Sequence, residues 1–208
     1  MNADPDTLIN PMWDAVKHAV KPWAPEMTAD RDGTDPTIRR SKLVGQYAWT
    51  ITSPETVAFV AAHAGAKVLD PLAGSGYWAY LLGQLGVDVF ASDAEPPNLG
   101  VNPYHHTDAV HVPVARLDAL ESVATHGDGR VLLLSWPPHN TPLGAQILQC
   151  YPGDRVIYIG DRAGGGCGDA ELFHIFDRYW TQVAVHLPVR FWGIHDRIVV
   201  YDRGKGSS

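Results

Sequence analysis

The stretch Val68-Leu-Asp-Pro-Leu-Ala-Gly-Ser-Gly-Tyr-Trp-Ala79 decides the fold. Its first part, with Lys67, is a short apolar run that reads as a buried strand ending at Asp70. A loop of small residues follows, and residues 76–86 predict a helix that opens at about Gly76. Glycines in such a loop let the backbone approach a ligand, and the helix N-terminus offers unpaired N–H groups. A strand, a glycine loop and a helix in that order open an α/β sheet whose ligands sit beyond the carboxyl ends of the strands.

Outward from this unit the alternation continues. Strand-like runs fall at 87–93, 111–114, 130–135 and 155–160, with helices fitting near 116–125, near 141–150 and at 169–180. Near-continuous apolar strands alternating with helices predict a parallel sheet covered on both faces, with right-handed crossovers. The rhythm changes at the end, where strands at 183–189 and 197–203 are joined by residues 190–196 alone. That link is too short for a crossover, so the pair is antiparallel. The expected fold class is α/β: a Rossmann-like, doubly wound sheet of seven strands, mostly parallel, with a C-terminal antiparallel hairpin.

Residues 67–203 form that domain. Residues 1–66 read as a helical extension or lid, cut into short pieces by Pro5, Pro11, Pro22, Pro25 and Pro36. Helices fit there at 12–20 and at 54–64, the second with Ser53 as N-cap, Pro54 at its first position and Gly65 ending it. Residues 204–208 read as a disordered tail.

Composition narrows the function classes. The 208 residues include 16 Lys plus Arg and 23 Asp plus Glu, a net charge of −7. With 45% hydrophobic and 19% charged residues, the chain is globular rather than disordered. No apolar run approaches the roughly 20 residues that span a bilayer. The start, Met1-Asn-Ala-Asp-Pro-Asp6, lacks the basic and apolar parts of a signal peptide, so a cytoplasmic protein without a membrane partner is expected. The acidic balance argues against a phosphate-backbone binder, although a local basic patch around Arg39, Arg40 and Lys42 stays open. Cys150 and Cys167 are too few for a disulfide framework or a four-thiolate zinc site. His105, His106 and His111 are close in sequence, but neighbouring strand residues face opposite sides and no Cys or carboxylate pattern completes a tetrahedral site. No metal is expected.

The glycine loop has two readings. Gly74-Ser-Gly-Tyr-Trp-Ala79, with Asp93 ending the next strand, fits a G-x-G-x-x-A dinucleotide site. Asp70 with Ala73-Gly-Ser-Gly76 instead resembles the first motif, (D/E)-x-x-x-G-x-G, of the class I S-adenosylmethionine (SAM) methyltransferases. Asp70 favours the second reading, because a carboxylate there repels a pyrophosphate but receives an ammonium group. The terminal hairpin resembles the extra antiparallel strand of the same family. That resemblance implies Asp70, Leu72, Ala73, Gly74 and Gly76 around the cofactor, and Asp93 (or Glu95) on the ribose hydroxyls. It also implies Asp118 against the adenine amine, the competing reading being an exposed or capping Asp.

Leu132-Leu-Leu-Ser-Trp-Pro-Pro-His139 resembles the (D/N/S)-P-P-(Y/F/W) signature of methyltransferases that act on exocyclic amines. Aligning the prolines puts Trp136 in the polar position and His139 in the aromatic one. Tryptophan has no acceptor, and Ser135 is one residue too early, so amine methylation does not follow. The resemblance still places Ser135 and Pro137 beside the methyl donor. His139 is the candidate general base, or else a structural loop histidine. Trp136 is a candidate wall of the substrate pocket, or else a packing residue.

The segments Tyr47-Ala-Trp49, Tyr77-Trp-Ala79, Trp136-Pro-Pro138 and Gly193-Ile-His-Asp196 resemble a subgroup of that family with the same features. Tyr47 and Trp49 read as a lid over the cofactor end, or as staples fixing the extension. Residues 164–168 lack the Lys-Ser/Thr of a phosphate cradle and read as a flexible loop near the substrate entrance. His195-Asp196 reads as a base with an orienting acid, or as ordinary turn residues.

The resemblance implies methyl transfer from SAM, with S-adenosylhomocysteine as product, to a nitrogen or oxygen of a small aromatic or heterocyclic molecule. His139 and Trp136 are the catalytic candidates, and Tyr47, Trp49, Trp136 and His139 the substrate-binding ones. A nucleic-acid or protein N-methyltransferase, an NAD-dependent oxidoreductase and a non-catalytic SAM-binding protein stay open, as does the oligomeric state.

Overall fold

The computed structural model describes residues 7–21, 39–100, 102, 104, 105, 108–162 and 166–204. The expectations that fell on Pro5, Pro22, Pro25, Pro36, His106, Gly164, Gly165 and residues 205–208 lie outside them.

Seven strands form one sheet in the order β3-β2-β1-β4-β5-β7-β6. The parallel part comprises β1 (Lys67–Asp70), β2 (Asp88–Asp93), β3 (Ala115–Arg116), β4 (Val131–Ser135) and β5 (Arg155–Gly160). β7 (Arg197–Arg203) runs antiparallel to β5, and β6 (Trp180–His186) antiparallel to β7, closes the sheet. Strand side chains alternate between two cores. Val68, Leu133, Ile157 and Ile159 enter one, while Leu69, Leu132, Leu134, Val156 and Tyr158 enter the other. Burial on both faces explains why these strands are apolar throughout instead of alternating with polar residues. Strand order reverses between β1 and β4, which is where an open α/β sheet leaves a crevice.

Helices cover both faces. α1 (Pro11–Val16), α2 (Arg40–Gln46), α3 (Pro54–Ala64) and α4 (Tyr77–Gln84) lie on one side, with α5 (Ala119–His126), α6 (Leu143–Cys150) and α7 (Ala170–Tyr179) on the other. The N-terminal helices share the main core, with Met12, Val16, Leu43, Val57 and Val60 buried in the same cluster as Val68 and Leu81. A polar knot fixes them. Asn10 caps α1, its Oδ1 receives the Tyr77 hydroxyl at 2.8 Å, and its amide donates to the Thr52 carbonyl. Tyr77, the first residue of the Tyr-Trp-Ala segment, therefore holds the extension to the domain.

Two strands differ from expectation. The third is only Ala115–Arg116 rather than 111–114. The His111 N–H goes to the Ser75 carbonyl, and Val112 and Val114 pack where a Cβ on Gly76 would stand, so this apolar stretch braces the glycine loop instead of joining the sheet. The sixth strand starts at Trp180 and ends at His186, three residues ahead of the expected run at each end. It is an edge strand with Val183 and Val185 exposed, and Pro188 beyond it has no N–H for a ladder.

Candidate active site

At the carboxyl ends of β1, β2 and β4 the chain encloses a cleft of about 460 Å³. Its floor is the glycine loop. Gly74 and Gly76 have φ of +51° and +72°, in the left-handed region that other residues enter at a cost. A Cβ on Gly76 would lie 2.8 Å from Val112 Cγ2, and one on Gly74 would collide with the His105 ring. α4 starts at this point with no side-chain cap, so its first amides have no side-chain acceptor.

Two carboxylates flank the loop. Asp70 ends β1, is 1% exposed and lines the cleft. It accepts the Leu72 N–H, yet its Oδ1 has no hydrogen-bond partner. Burial, with the nearby Asp93 carboxylate adding to it, pushes its pKa up to about 8. Asp93 ends β2 and is half-buried, taking the Gly74 N–H on Oδ2 and the Glu95 N–H on Oδ1, both at 2.9 Å. Each of its oxygens keeps a second lone pair that can face the cleft. Glu95 also lines the cleft and is exposed.

The opposite wall is aromatic. Trp136 follows β4 with φ of +47°, a rare conformation for a bulky residue. Its N–H donates to the Ile159 carbonyl at 2.8 Å, and its Nε1–H to Thr50 Oγ1 at 2.9 Å. Trp49 stacks on it with centroids 4.9 Å apart and an interplanar angle of 30°. Tyr104 meets Trp49 edge-on at 6.1 Å, while Tyr47 stands against Tyr77 at 5.0 Å. The Arg40 guanidinium lies 5.0 Å from the Trp49 ring and 5.3 Å from the Trp136 ring. The Pro137 carbonyl accepts from Gly168 N–H at 2.9 Å and the Pro138 carbonyl from the Thr141 hydroxyl at 3.2 Å. His139 is exposed at the rim.

The structure thus brings together Tyr47, Trp49, Asp70, Leu72, Ala73, Gly74, Asp93, Ser135, Trp136, Pro137 and His139 around one cleft. Two residues singled out in the sequence do not line it. Gly76 shapes the start of α4 from behind. Asp118 is exposed and N-caps α5, its Oδ1 taking the Leu120 and Glu121 N–H groups at 2.8 and 3.3 Å; the adjacent Ala119 lines the cleft instead. Nor do His195 and Asp196 form a base–acid pair. Asp196 is fully buried, and the His195 ring turns to Asp161, with Nδ1 3.6 Å from Oδ2.

Sequence reading overlooked Asn102, Tyr104 and His105, which line the cleft from a segment without periodicity. The Asn102 side chain fixes this segment by accepting the Tyr104 and His105 N–H groups and donating to the Glu95 carbonyl. Among the described lining residues there is no lysine or arginine, against three carboxylates. Among the described residues no three His, Cys, Asp or Glu side chains gather as metal ligands, and no helix is long and apolar enough to cross a membrane.

No protein-family model and no curated protein matches the chain. Solved structures do. TrmN from Thermus thermophilus is 21% identical with a TM-score of 0.52, over 74% of this chain and 49% of that one. A SAM-dependent O-methyltransferase from Thermotoga maritima is 14% identical with a TM-score of 0.51, over 76% and 68%. The magnesium protoporphyrin IX methyltransferase of Synechocystis PCC 6803, solved with bound SAM, is 16% identical with a TM-score of 0.51, over 97% and 98%. The chain therefore spans about half the length of the first and nearly all of the last. At these identities the likeness is one of architecture: the chain has the Rossmann-like fold of the SAM-dependent methyltransferases.

Proposed function

We propose that the chain transfers a methyl group from SAM to a nucleophilic nitrogen or hydroxyl oxygen of a small aromatic or heterocyclic molecule. The observation that carries the cofactor is Asp70, a buried carboxylate on the cleft with one oxygen unpartnered and its pKa raised to about 8. Such a group calls for a cation, and the α-ammonium of the methionine moiety is one. Asp93, with Glu95 beside it, has the lone pairs for the ribose hydroxyls. Leu72, Ala73 and Gly74 present backbone to the cofactor, and Ser135 and Pro137 flank its reactive end. A dinucleotide would set its pyrophosphate beside Asp93, Glu95 and the Asp70 carboxyl group, with no lysine or arginine among the described lining residues to offset them.

Bound SAM supplies an already activated sulfonium methyl group, so the chain's task is alignment, exclusion of water and removal of a proton. Trp136, Trp49 and Tyr104 offer faces and edges on which a planar acceptor stacks. His139 at the rim takes the acceptor proton. The side-chain acceptor that opens the related signature is missing, since the Trp136 ring has none, and the Pro137 carbonyl has one lone pair taken by Gly168 N–H. That favours a ring nitrogen or a hydroxyl over an exocyclic amine. The absence of lysine and arginine among the described lining residues favours an acceptor without phosphates, and so a small molecule over a nucleic acid.

The test is calorimetric titration with SAM, S-adenosylhomocysteine and NAD at pH 7, in two buffers of different ionisation enthalpy. Both adenosyl compounds should bind and release nearly one proton, as the ammonium draws Asp70 below neutrality. Asp70→Asn should weaken binding about tenfold or more and release none. Binding without a linked proton removes Asp70 from the ammonium, and binding of NAD alone overturns the reading.

A further inference from the structure

We propose that Asp196 is a positioning residue: through Thr50 it fixes the plane of the Trp136 indole that walls the cleft. The methyl-transfer reading enters only in what that wall is for, the seating of the acceptor.

The relay runs in one direction. Trp136 Nε1–H donates to Thr50 Oγ1 at 2.9 Å, and the Thr50 hydroxyl donates to Asp196 Oδ2 at 2.8 Å. Thr50 and Asp196 are both fully buried, so water does not substitute for either partner. Trp136 needs such a hold, because its φ of +47° costs a bulky residue on the order of 1–3 kcal/mol. Asp196 is an expensive way to supply it. Its Oδ1 has no hydrogen-bond partner, and a buried carboxylate left half-satisfied lowers stability. An apolar side chain would fill the same space at less cost but would give Thr50 no acceptor, and the indole N–H would lose its orientation.

Charged groups from several elements face Asp196. Arg40 comes from α2 and Arg190 from the β6–β7 connection, and both favour its ionised form, as does the Thr50 hydrogen bond. Asp161, just beyond β5, opposes it, and takes the His195 N–H itself at 3.2 Å. The Arg40 guanidinium also lies over the Trp49 and Trp136 rings, tying the relay to the stacked pair. Ionised, Asp196 can only accept; protonated on the partnerless Oδ1, it still accepts from Thr50 on Oδ2 but more weakly, so the Trp136 Nε1–H at the far end of the relay senses its titration.

The full chain, carrying 15N in its tryptophan rings, gives the test. The Trp136 Nε1–H signal is the one that disappears in Trp136→Phe. In the wild type it should exchange slowly with water and shift with pH around a midpoint near 7, where Asp196 titrates. Thr50→Val should speed its exchange about tenfold and remove the pH step, and Thr50→Ser should restore both. Asp196→Asn keeps an acceptor for Thr50, so the chain should stay folded with slow exchange and lose only the pH step. Unchanged exchange in Thr50→Val, or a pH step that survives in Asp196→Asn, overturns the proposal. S-adenosylhomocysteine affinity in Thr50→Val should stay within about twofold of wild type, and a tenfold loss would tie the relay to the cofactor side and overturn its assignment to the wall. A wild-type chain that binds no S-adenosylhomocysteine defeats the methyl-transfer reading, while the indole signal still judges the relay.

Discussion

The two sides of the cleft are built in different ways. The floor, from Asp70 through Gly76 to Asp93, is made by backbone and by carboxylates at strand ends, held by hydrogen bonds such as Gly74 N–H to Asp93. The wall is made by side chains from four separated segments: Tyr47 to Thr50, Tyr104, Trp136 and the buried Asp196. A backbone-built floor suits a constant ligand, because its contacts do not depend on which side chains fill the rest of the site. A wall of rings held by a relay can be altered residue by residue, which suits the part that selects an acceptor. The predictions that follow test whether the two sides separate in this way.

The largest effect should come from pH, because each side hides one carboxylate. Burial is the chief cause for both, and holds Asp70 at about 8 and Asp196 at about 7 in the folded chain, above the ordinary range near 4. Between the ordinary and the folded values the native state binds more protons than the unfolded one, so stability falls as pH rises through that window. For Asp70 alone the fall between about pH 5 and pH 8 is on the order of 4 kcal/mol. His186, kept below its ordinary value by burial, works the other way below about pH 6.5. Denaturant titrations across this range should show the decline in the wild type, a shallower decline that stops near pH 7 in Asp70→Asn, and a decline made shallower only below about pH 7 in Asp196→Asn. A flat profile in the wild type would mean that neither carboxylate is as dry as the geometry requires.

Gly76→Val attacks the floor alone. It forces a β-branched residue to φ of +72° and drives a Cβ against Val112 and Val114. The expected cost is about 3 kcal/mol in denaturant midpoint, with loss of S-adenosylhomocysteine binding in the fraction that folds. Normal binding would show that the loop tolerates movement and that the close approach of backbone to ligand is not required.

His139→Ala attacks the wall side at its rim. Turnover should fall about a hundredfold with SAM affinity unchanged, the range typical of a lost general base. Equal turnover would return His139 to the structural reading. Trp49→Ala comes next: it should raise the acceptor KM about tenfold while leaving SAM affinity within twofold, because it removes the ring stacked on Trp136 and nothing that touches the floor. A comparable loss of SAM affinity would mean that the wall also closes over the cofactor.

The same contrast explains what could be read from the sequence. The floor is contiguous, so Lys67–Asp70, the loop glycines and Asp93 carried their own local signals of apolar run, small residues and strand end. The reversed last strand was legible too, since the seven residues from Arg190 to Asp196 cannot house a crossover. The wall was legible only in pieces. Trp49 and Trp136 were noticed separately, but nothing in their spacing says that they stack. Asn102, Tyr104 and His105 belong to a stretch whose order comes from the Asn102 side chain rather than from any repeat. Residues 111–114 look like a strand, and only the contact with Gly76 reveals that they serve as its brace.

Asp118 shows a local signal and a family analogy pointing to different roles for one residue. Asp118-Ala-Leu-Glu121 has the spacing of a capping box, with an acceptor at the N-cap and an acid three residues on. In the structure Asp118 caps α5 as that spacing implies, with Glu121 in the first turn, and the cleft is lined by the next residue, Ala119. A contact to adenine on this side would then come from backbone or from apolar packing, leaving Asp70 and Asp93 as the side chains by which the floor holds its ligand. Asp118→Ala should therefore cost about 1 kcal/mol of stability, the usual loss for an N-cap, and leave S-adenosylhomocysteine affinity within twofold. Calorimetry and a denaturant titration on that one variant separate the two roles. A tenfold weaker affinity at unchanged stability would add Asp118 to the two strand-end carboxylates and make the floor depend on one more side chain than its geometry implies.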